Sequence, residues 1–165
     1  MKNRRFTQLS VNNFIHYKDD YLFLLRNADK SVDAGRLNSI GGKVDPGENY
    51  LQAVIRETQE ETGIVIASND IKLVGIVNLE GGYKEDWVMC FFKTEVMNKT
   101  LPVGNKTNDG ELLWINKDKV LNNRYELVDD LYYTFEDVVH ENGILFANAQ
   151  INNNEKVEKY NGIKL

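Results

Sequence analysis

The sequence predicts an α+β fold built on a mixed β-sheet sandwich. Three observations point to it. Strand-like stretches outnumber helical ones, the two helical stretches lie scattered among them, and the order never settles into the strand–helix alternation of a doubly wound sheet. A chain of 165 residues favours one domain spanning 1–165. At that size about two-thirds of the unfolded surface can be buried, so stability requires neither a disulfide nor a structural metal.

Phe6 to Tyr17 mixes apolar and polar residues in a strand-like way, and Tyr21 to Leu25 is a short apolar run. Lys18-Asp19-Asp20 between them predicts a hairpin. Leu37 to Ile40 forms a short strand that leads into Gly41-Gly42. From Asn49 to Thr62 the spacing is helical. Ile71 to Leu79, Trp87 to Val96 and Glu111 to Ile115 are three further strands. Leu127 to Glu141 predicts a second helix, because Leu127, Leu131, Phe135 and Val138 recur at helical intervals. Ile144 to Ile151 alternates as a strand, and the last dozen residues supply its hairpin partner.

Charge and residue usage exclude several functions. A net charge of −5 argues against general binding to a nucleic-acid backbone, and a polyphosphate substrate of so acidic a protein must arrive with divalent cations. Only His16 and His140 are available, too few for a histidine-rich zinc site. There is no phosphate-binding Gly-x-x-x-x-Gly-Lys-[Ser/Thr] loop and no serine-nucleophile motif. The single cysteine, Cys90, sits in an apolar run and reads as a buried strand thiol, in keeping with a reducing compartment. Met1 to Phe6 lacks the apolar core of a signal peptide, and no apolar run approaches membrane-spanning length. A cytoplasmic protein without membrane contact is expected.

The informative stretch runs from Gly41 to Ile64. Asp45-Pro46-Gly47 is a turn, Asn49 with Gln52 forms a capping box, and Gly63 stands where a helix ends in a left-handed residue. At about 100° per residue, with Glu57 at zero, Glu60 falls near −60° and Glu61 near +40°. The three carboxylates thus share one arc of adjacent turns. Leu51, Val54, Ile55 and Thr58 fall on another arc, expected to face the core, while Ala53 leaves space beside the acids. Alone, such a run reads as a solvated acidic face. With a Gly-Gly, a tight turn and Glu48 feeding into it, the cluster suits magnesium or manganese, which prefer oxygen ligands. Arg56 is spaced to pair with Glu60 and hold one carboxylate in place.

Together these residues resemble the Nudix box. Gly42, Glu48, Arg56-Glu57, Glu60-Glu61, Gly63 and Ile64 all stand at its intervals over residues 42–64, and Thr58 departs from the aliphatic residue the pattern prefers. The resemblance implies a mixed sheet sandwiched between helices, with the box as a loop–helix–loop. It implies catalysis by Glu48, Arg56, Glu57, Glu60 and Glu61, and magnesium (manganese as a possible substitute) held by Glu57, Glu60, Glu61 and the Gly41 carbonyl. The general base is Glu57 or an acid from a downstream loop. Asp109, five residues before Trp114, is the better-placed metal ligand of that loop, and Glu111 is the fallback. The implied partner is a small nucleotide rather than a nucleic-acid polymer, and a homodimer is possible.

Ala34 to Val44 is similar to the corresponding segment of oxidised-purine nucleoside triphosphatases, which implies that the Asn38 amide reads a base edge by donating and accepting. Leu127 to Tyr133 resembles a segment of the same relatives in which two adjacent acids, here Asp129 and Asp130, meet the base. Acids are also favoured at a helix start on dipole grounds. The implied activity is hydrolysis of such a triphosphate to monophosphate and pyrophosphate. Dinucleoside polyphosphates, ADP-ribose and a non-catalytic nucleotide-binding role are the alternatives.

Overall fold

A computed structural model of the chain describes residues 5–140 and 142–165. Met1 to Arg4, part of the segment expected not to be a signal peptide, and Glu141 at the end of the expected second helix lie outside them.

Among the described residues, nine strands and three α-helices follow in the order β1 (Thr7–Tyr17), β2 (Asp20–Arg26), β3 (Leu37–Asn38), β4 (Ile40–Lys43), α1 (Tyr50–Thr62), β5 (Ile71–Gly81), β6 (Asp86–Glu95), β7 (Gly110–Asn116), α2 (Lys117–Val120), α3 (Leu131–Val139), β8 (Leu145–Ile151) and β9 (Val157–Lys164). The sheet runs β3-β2-β1-β6-β5-β8-β9, with β4 also on β1 and β7 on β2. The pairs β1–β6 and β5–β8 are parallel and the others antiparallel, so the sheet is mixed as expected. Lys18 turns the β1–β2 hairpin with φ 54°.

Alternation along the strands divides the core between the two faces of the sheet. Phe14 of β1, Met89 and Phe91 of β6 and Phe23 of β2 face α3, where they pack with Leu131, Phe135 and Val138. Val11 of β1 with Cys90 and Phe92 of β6 face α1 and meet Ala53 and Val54. Helices therefore cover both faces, and Cys90 is a buried thiol whose pKa burial raises to about 11.

Three expectations need correction. The segment from Leu37 to Ile40 is not one strand: it breaks at Ser39, whose N–H turns to the Asn38 side-chain oxygen at 2.8 Å. The second long helix begins at Leu131 rather than Leu127. Leu127 and Val128 are drawn into extended pairing with β3, Leu37 N–H donating to the Glu126 carbonyl at 2.8 Å and Val128 N–H to the Leu37 carbonyl at 3.0 Å. The stripe of Leu127, Leu131, Phe135 and Val138 is nonetheless buried throughout. The four-residue α2 was not anticipated. Asn116 starts it by accepting the Asp118 N–H at 3.2 Å.

Candidate active site

The site is built where β4 turns into α1. Glu48 N–H donates to the Asp45 carbonyl at 3.1 Å across the Pro46-Gly47 turn. The Asn49 side chain accepts the Gln52 N–H and the Gln52 side chain accepts the Asn49 N–H, both at 2.9 Å, closing the capping box. Gly63, at φ 72°, ends the helix with its N–H on the Gln59 carbonyl. These local devices fix where α1 starts, stops and points.

Its buried face comprises Ala53, Val54, Thr58 and Thr62. Leu51, expected to face the core, is instead 37% exposed. Ala53 is fully buried, so it serves the core rather than leaving room beside the acids. Thr58 does more than fill space. Its hydroxyl accepts the amide of the fully buried Asn13 of β1 at 3.0 Å, and Asn13 in turn accepts the Thr94 hydroxyl at 3.0 Å.

The carboxylates divide into two settings. Glu61 reaches β4, where its Oε2 accepts the Gly41 N–H at 3.0 Å. Burial is the chief cause that pushes its pKa up to about 8, with the charges of Glu57 and Asp109 adding to it. Glu57 lies directly against Gly42, where a Cβ would stand 2.5 Å from its Oε1. Burial raises its pKa too, and Arg56 opposes the rise. The Arg56 guanidinium then gathers the other acids. It grips Glu48 twice, at 2.7 and 2.9 Å, and meets Glu57 at 2.7 Å and Glu60 at 3.1 Å. Arg56 and the Asp45 N–H hold the Glu48 carboxyl below its ordinary range. Glu60, 60% exposed, is the outermost of the set.

Among the described residues no three His, Cys, Asp or Glu side chains converge in metal-ligating geometry. Of the expected arc, Arg56 gathers Glu57 and Glu60, while Glu61 lies apart on the Gly41 amide. The donor set still suits a hard divalent cation. It offers carboxylate oxygens beside a glycine loop, and the part-buried Glu61 carboxylate has a backbone amide as its hydrogen-bond donor. Asp109 precedes β7 and pairs with Lys30 at 2.7 Å. Its charge reaches Glu61, whereas Glu111 lies within β7 opposite Leu25.

Gly41 and Gly42 line a cleft of about 340 Å³. Trp87 and Met89 of β6 and Leu79 of β5 give it an apolar wall, Lys43 stands 5.5 Å from the Trp87 ring centre, and Asn38 and Asp130 enter from the side. The Asn38 oxygen accepts the Ser39 N–H at 2.8 Å, which leaves its NH2 and one lone pair for a ligand. Asp130 is 7% exposed, and burial pushes its pKa to about 7. Asp129 does not join it. Its carboxylate accepts the Val157 N–H at 2.6 Å and pairs with Lys156 at 3.3 Å.

Sequence reasoning missed three residues of this cleft: Trp87, Asp33 and Ser10. Trp87 alternates with Met89 and Phe91 and so reads as core, and nothing local marks Asp33 or Ser10.

The NUDIX domain family model matches residues 7–138, and the chain belongs to the Nudix family. An uncharacterized Nudix hydrolase, YvcI of Bacillus subtilis (strain 168), is 30% identical over 106 residues, which are 63% of this chain and 63% of that protein. An 8-oxo-dGTP diphosphatase of Escherichia coli (strain K12) is 40% identical over 57 residues, 34% of this chain and 43% of that one. The chain thus spans less than two-thirds of the length of either relative. A crystal structure of a MutT protein from Bacillus halodurans superposes with a TM-score of 0.80 at 24% identity, covering 94% of this chain and 97% of that one, a likeness of fold. No helix among the described residues is long and apolar enough to cross a membrane.

Proposed function

We propose that this chain hydrolyses a diphosphate linkage in a nucleotide, with oxidised purine nucleoside triphosphates such as 8-oxo-dGTP as its substrates and monophosphate and pyrophosphate as products. The observation that carries the reading is the seating of two part-buried carboxylates on adjacent glycines, Glu61 on the Gly41 amide and Glu57 against Gly42, where those two glycines also line a cleft of about 340 Å³. Nudix hydrolases in general use divalent metal ions, and magnesium is the ion we propose. Glu57, Glu60, Glu61 and the Gly41 carbonyl would hold it, with Asp109 as a further ligand. Bound there, a magnesium ion would supply neutralisation of phosphate charge and a lowered pKa for the water that serves as nucleophile.

The chain's own residues do the rest. Arg56 holds Glu48, Glu57 and Glu60 at fixed positions around its planar fork. Glu57, its pKa raised by burial, is placed to accept a proton from the attacking water. Lys43, beside Trp87 on the cleft wall, faces the phosphates while the indole offers its ring to a base. Asn38 donates to the base edge. A second copy of the chain and a cytoplasmic location remain part of the proposal.

The test is a panel of 8-oxo-dGTP, dGTP, ADP-ribose and diadenosine polyphosphates at low concentration with magnesium. The proposal expects the highest kcat/KM on 8-oxo-dGTP. A preference for ADP-ribose would replace the substrate, and no turnover on any nucleotide by folded protein would contradict the hydrolase.

A further inference from the structure

One apolar row crosses the sheet on the side that carries α1. The register sets Val11 beside Cys90, Cys90 beside Ile76, Ile76 beside Phe146 and Phe146 beside Ile163. Helix α1 covers the first part of the row, where Ala53 and Val54 pack with Val11 and Cys90 and the half-buried Ile76 joins them. Further along the cover ends. Phe146 is 43% exposed, and Ile163 on the last strand is 60% exposed. Sheet edges are ordinarily guarded by charge, and an apolar edge invites another strand to pair with it.

Among the described residues β9 pairs with β8 alone, so its other edge is open. Ile144 and Leu165 exchange two backbone hydrogen bonds, at 2.7 and 3.1 Å. From there the register turns the backbone polar groups of Ile163, Asn161 and Lys159 inward to β8. Those of Tyr160, Gly162 and Lys164 point outward. Nearer the hairpin turn the Val157 N–H is already taken by the Asp129 carboxylate, which confines the open edge to the second half of the hairpin.

We propose that the open edge of β9 pairs antiparallel with β9 of a second copy of this chain, about a two-fold axis through Asn161. This gives a surface to the second copy included in the functional reading and rests on that part of it alone. Because the outward groups alternate, an antiparallel pair forms only in registers that set even-numbered residues against even-numbered ones. The register centred on Asn161 sets Tyr160 against Gly162, Glu158 against Lys164 and Lys159 against Ile163. Opposite charges thus meet at both ends of the pair, and the Lys159 stem covers the exposed Ile163. Lys164 is held at the edge by the Asp137 and His140 carbonyls of its own chain. A register centred one residue earlier sets Lys156 against Lys164, and one centred a residue later sets Tyr160 against Lys164. Charge therefore selects the Asn161 register.

That register fixes distances across the axis. Asn161 faces its own copy in a non-hydrogen-bonded pair, where Cα atoms stand about 4.5 Å apart, within the reach of a disulfide. Residue 163 lies four residues out of step with its own copy, about 13 Å, beyond that reach. Under mild oxidation Asn161→Cys is expected to run as a covalent dimer on a non-reducing gel, and Ile163→Cys as a monomer. The native Cys90 is buried in both. In sedimentation from micromolar to millimolar concentration the wild type is expected to dimerise. Ile163→Lys sets lysine against Lys159 and should weaken the dimer about ten-fold at unchanged Tm, and adding Lys159→Glu should restore it. A wild type that stays monomeric over this range would overturn both the surface and the second copy. A dimer in which Asn161→Cys fails to cross-link, or Ile163→Cys cross-links as well, would overturn the surface and leave the second copy standing. Hydrolysis of nucleotides is read separately and stands or falls without either result.

Discussion

The Glu57 carboxylate occupies the space into which any side chain on residue 42 would project, with Oε1 2.5 Å from the position of a Cβ there. A glycine is required at this point by the acid it faces, not by its backbone angle. Gly42→Ala should therefore displace the carboxylate while leaving the fold in place. We expect kcat to fall on the order of 100-fold, as for a catalytic group moved by about 1 Å, with a nearly unchanged Tm. Gly41→Ala makes the useful contrast. Its Cβ would meet the Val11 carbonyl at 2.0 Å and disrupt the β1–β4 pairing, so that variant should lose stability first.

Arg56 is the common neighbour of Glu48, Glu57 and Glu60. Lysine keeps the charge but not the fork that grips both oxygens of Glu48. In Arg56→Lys the magnesium concentration for half-maximal rate should rise about 10–100-fold, the usual consequence of losing a group that orients metal ligands. An unchanged magnesium dependence would show that the acids orient themselves.

The Asn13–Thr58 hydrogen bond joins β1 to α1 through the core, and the Thr94 hydroxyl completes it. Thr58→Val removes the acceptor and strands the Asn13 amide. It should cost about 1–3 kcal/mol in denaturant unfolding, even though it restores the aliphatic residue preferred at this position of the box. Asn13→Leu and Thr94→Val combined with Thr58→Val should recover part of the loss, since replacing all three partners leaves no orphaned polar atom. Additive losses would show that the residues are not coupled.

Burial raises the Asp130 pKa to about 7, above its value in the unfolded chain. The folded protein thus binds this proton more tightly than the unfolded chain does. The associated stability is fully present below the ordinary carboxylate range and is lost as pH rises through about 7. Asp130→Asn cannot ionise, so its Tm should gain on that of wild type as pH rises through this window and hold the lead above it. Parallel Tm curves across the window would place the ionisation elsewhere.

What the sequence disclosed was local chemistry. The Asn49–Gln52 box, the Gly63 cap and the acid spacing of α1 depend on residues a few positions apart, and each stands where the spacing put it. The start of α3 was hidden because Leu127 and Val128 are captured by Leu37, some ninety positions away in the chain. Asp129 and Asp130 are chain neighbours with one helical reading, yet β9 takes the first and the cleft takes the second. Asp33 and Ser10 carry no local mark at all. Ser10 reaches the cleft because β1 pairs with both β4 and β6, and Asp33 reaches it on the loop between β2 and β3.

Hydrolysis as proposed requires the glutamates beside the glycine loop to bind a divalent cation. Steady-state hydrolysis of 8-oxo-dGTP by Glu57→Gln, over a range of magnesium concentrations, tests this most directly. The rate should fall by roughly two to four orders of magnitude, the effect of removing several kcal/mol of charge stabilisation, and fold and Tm should be retained. A folded Glu57→Gln protein that matches the wild-type rate and magnesium dependence would contradict it.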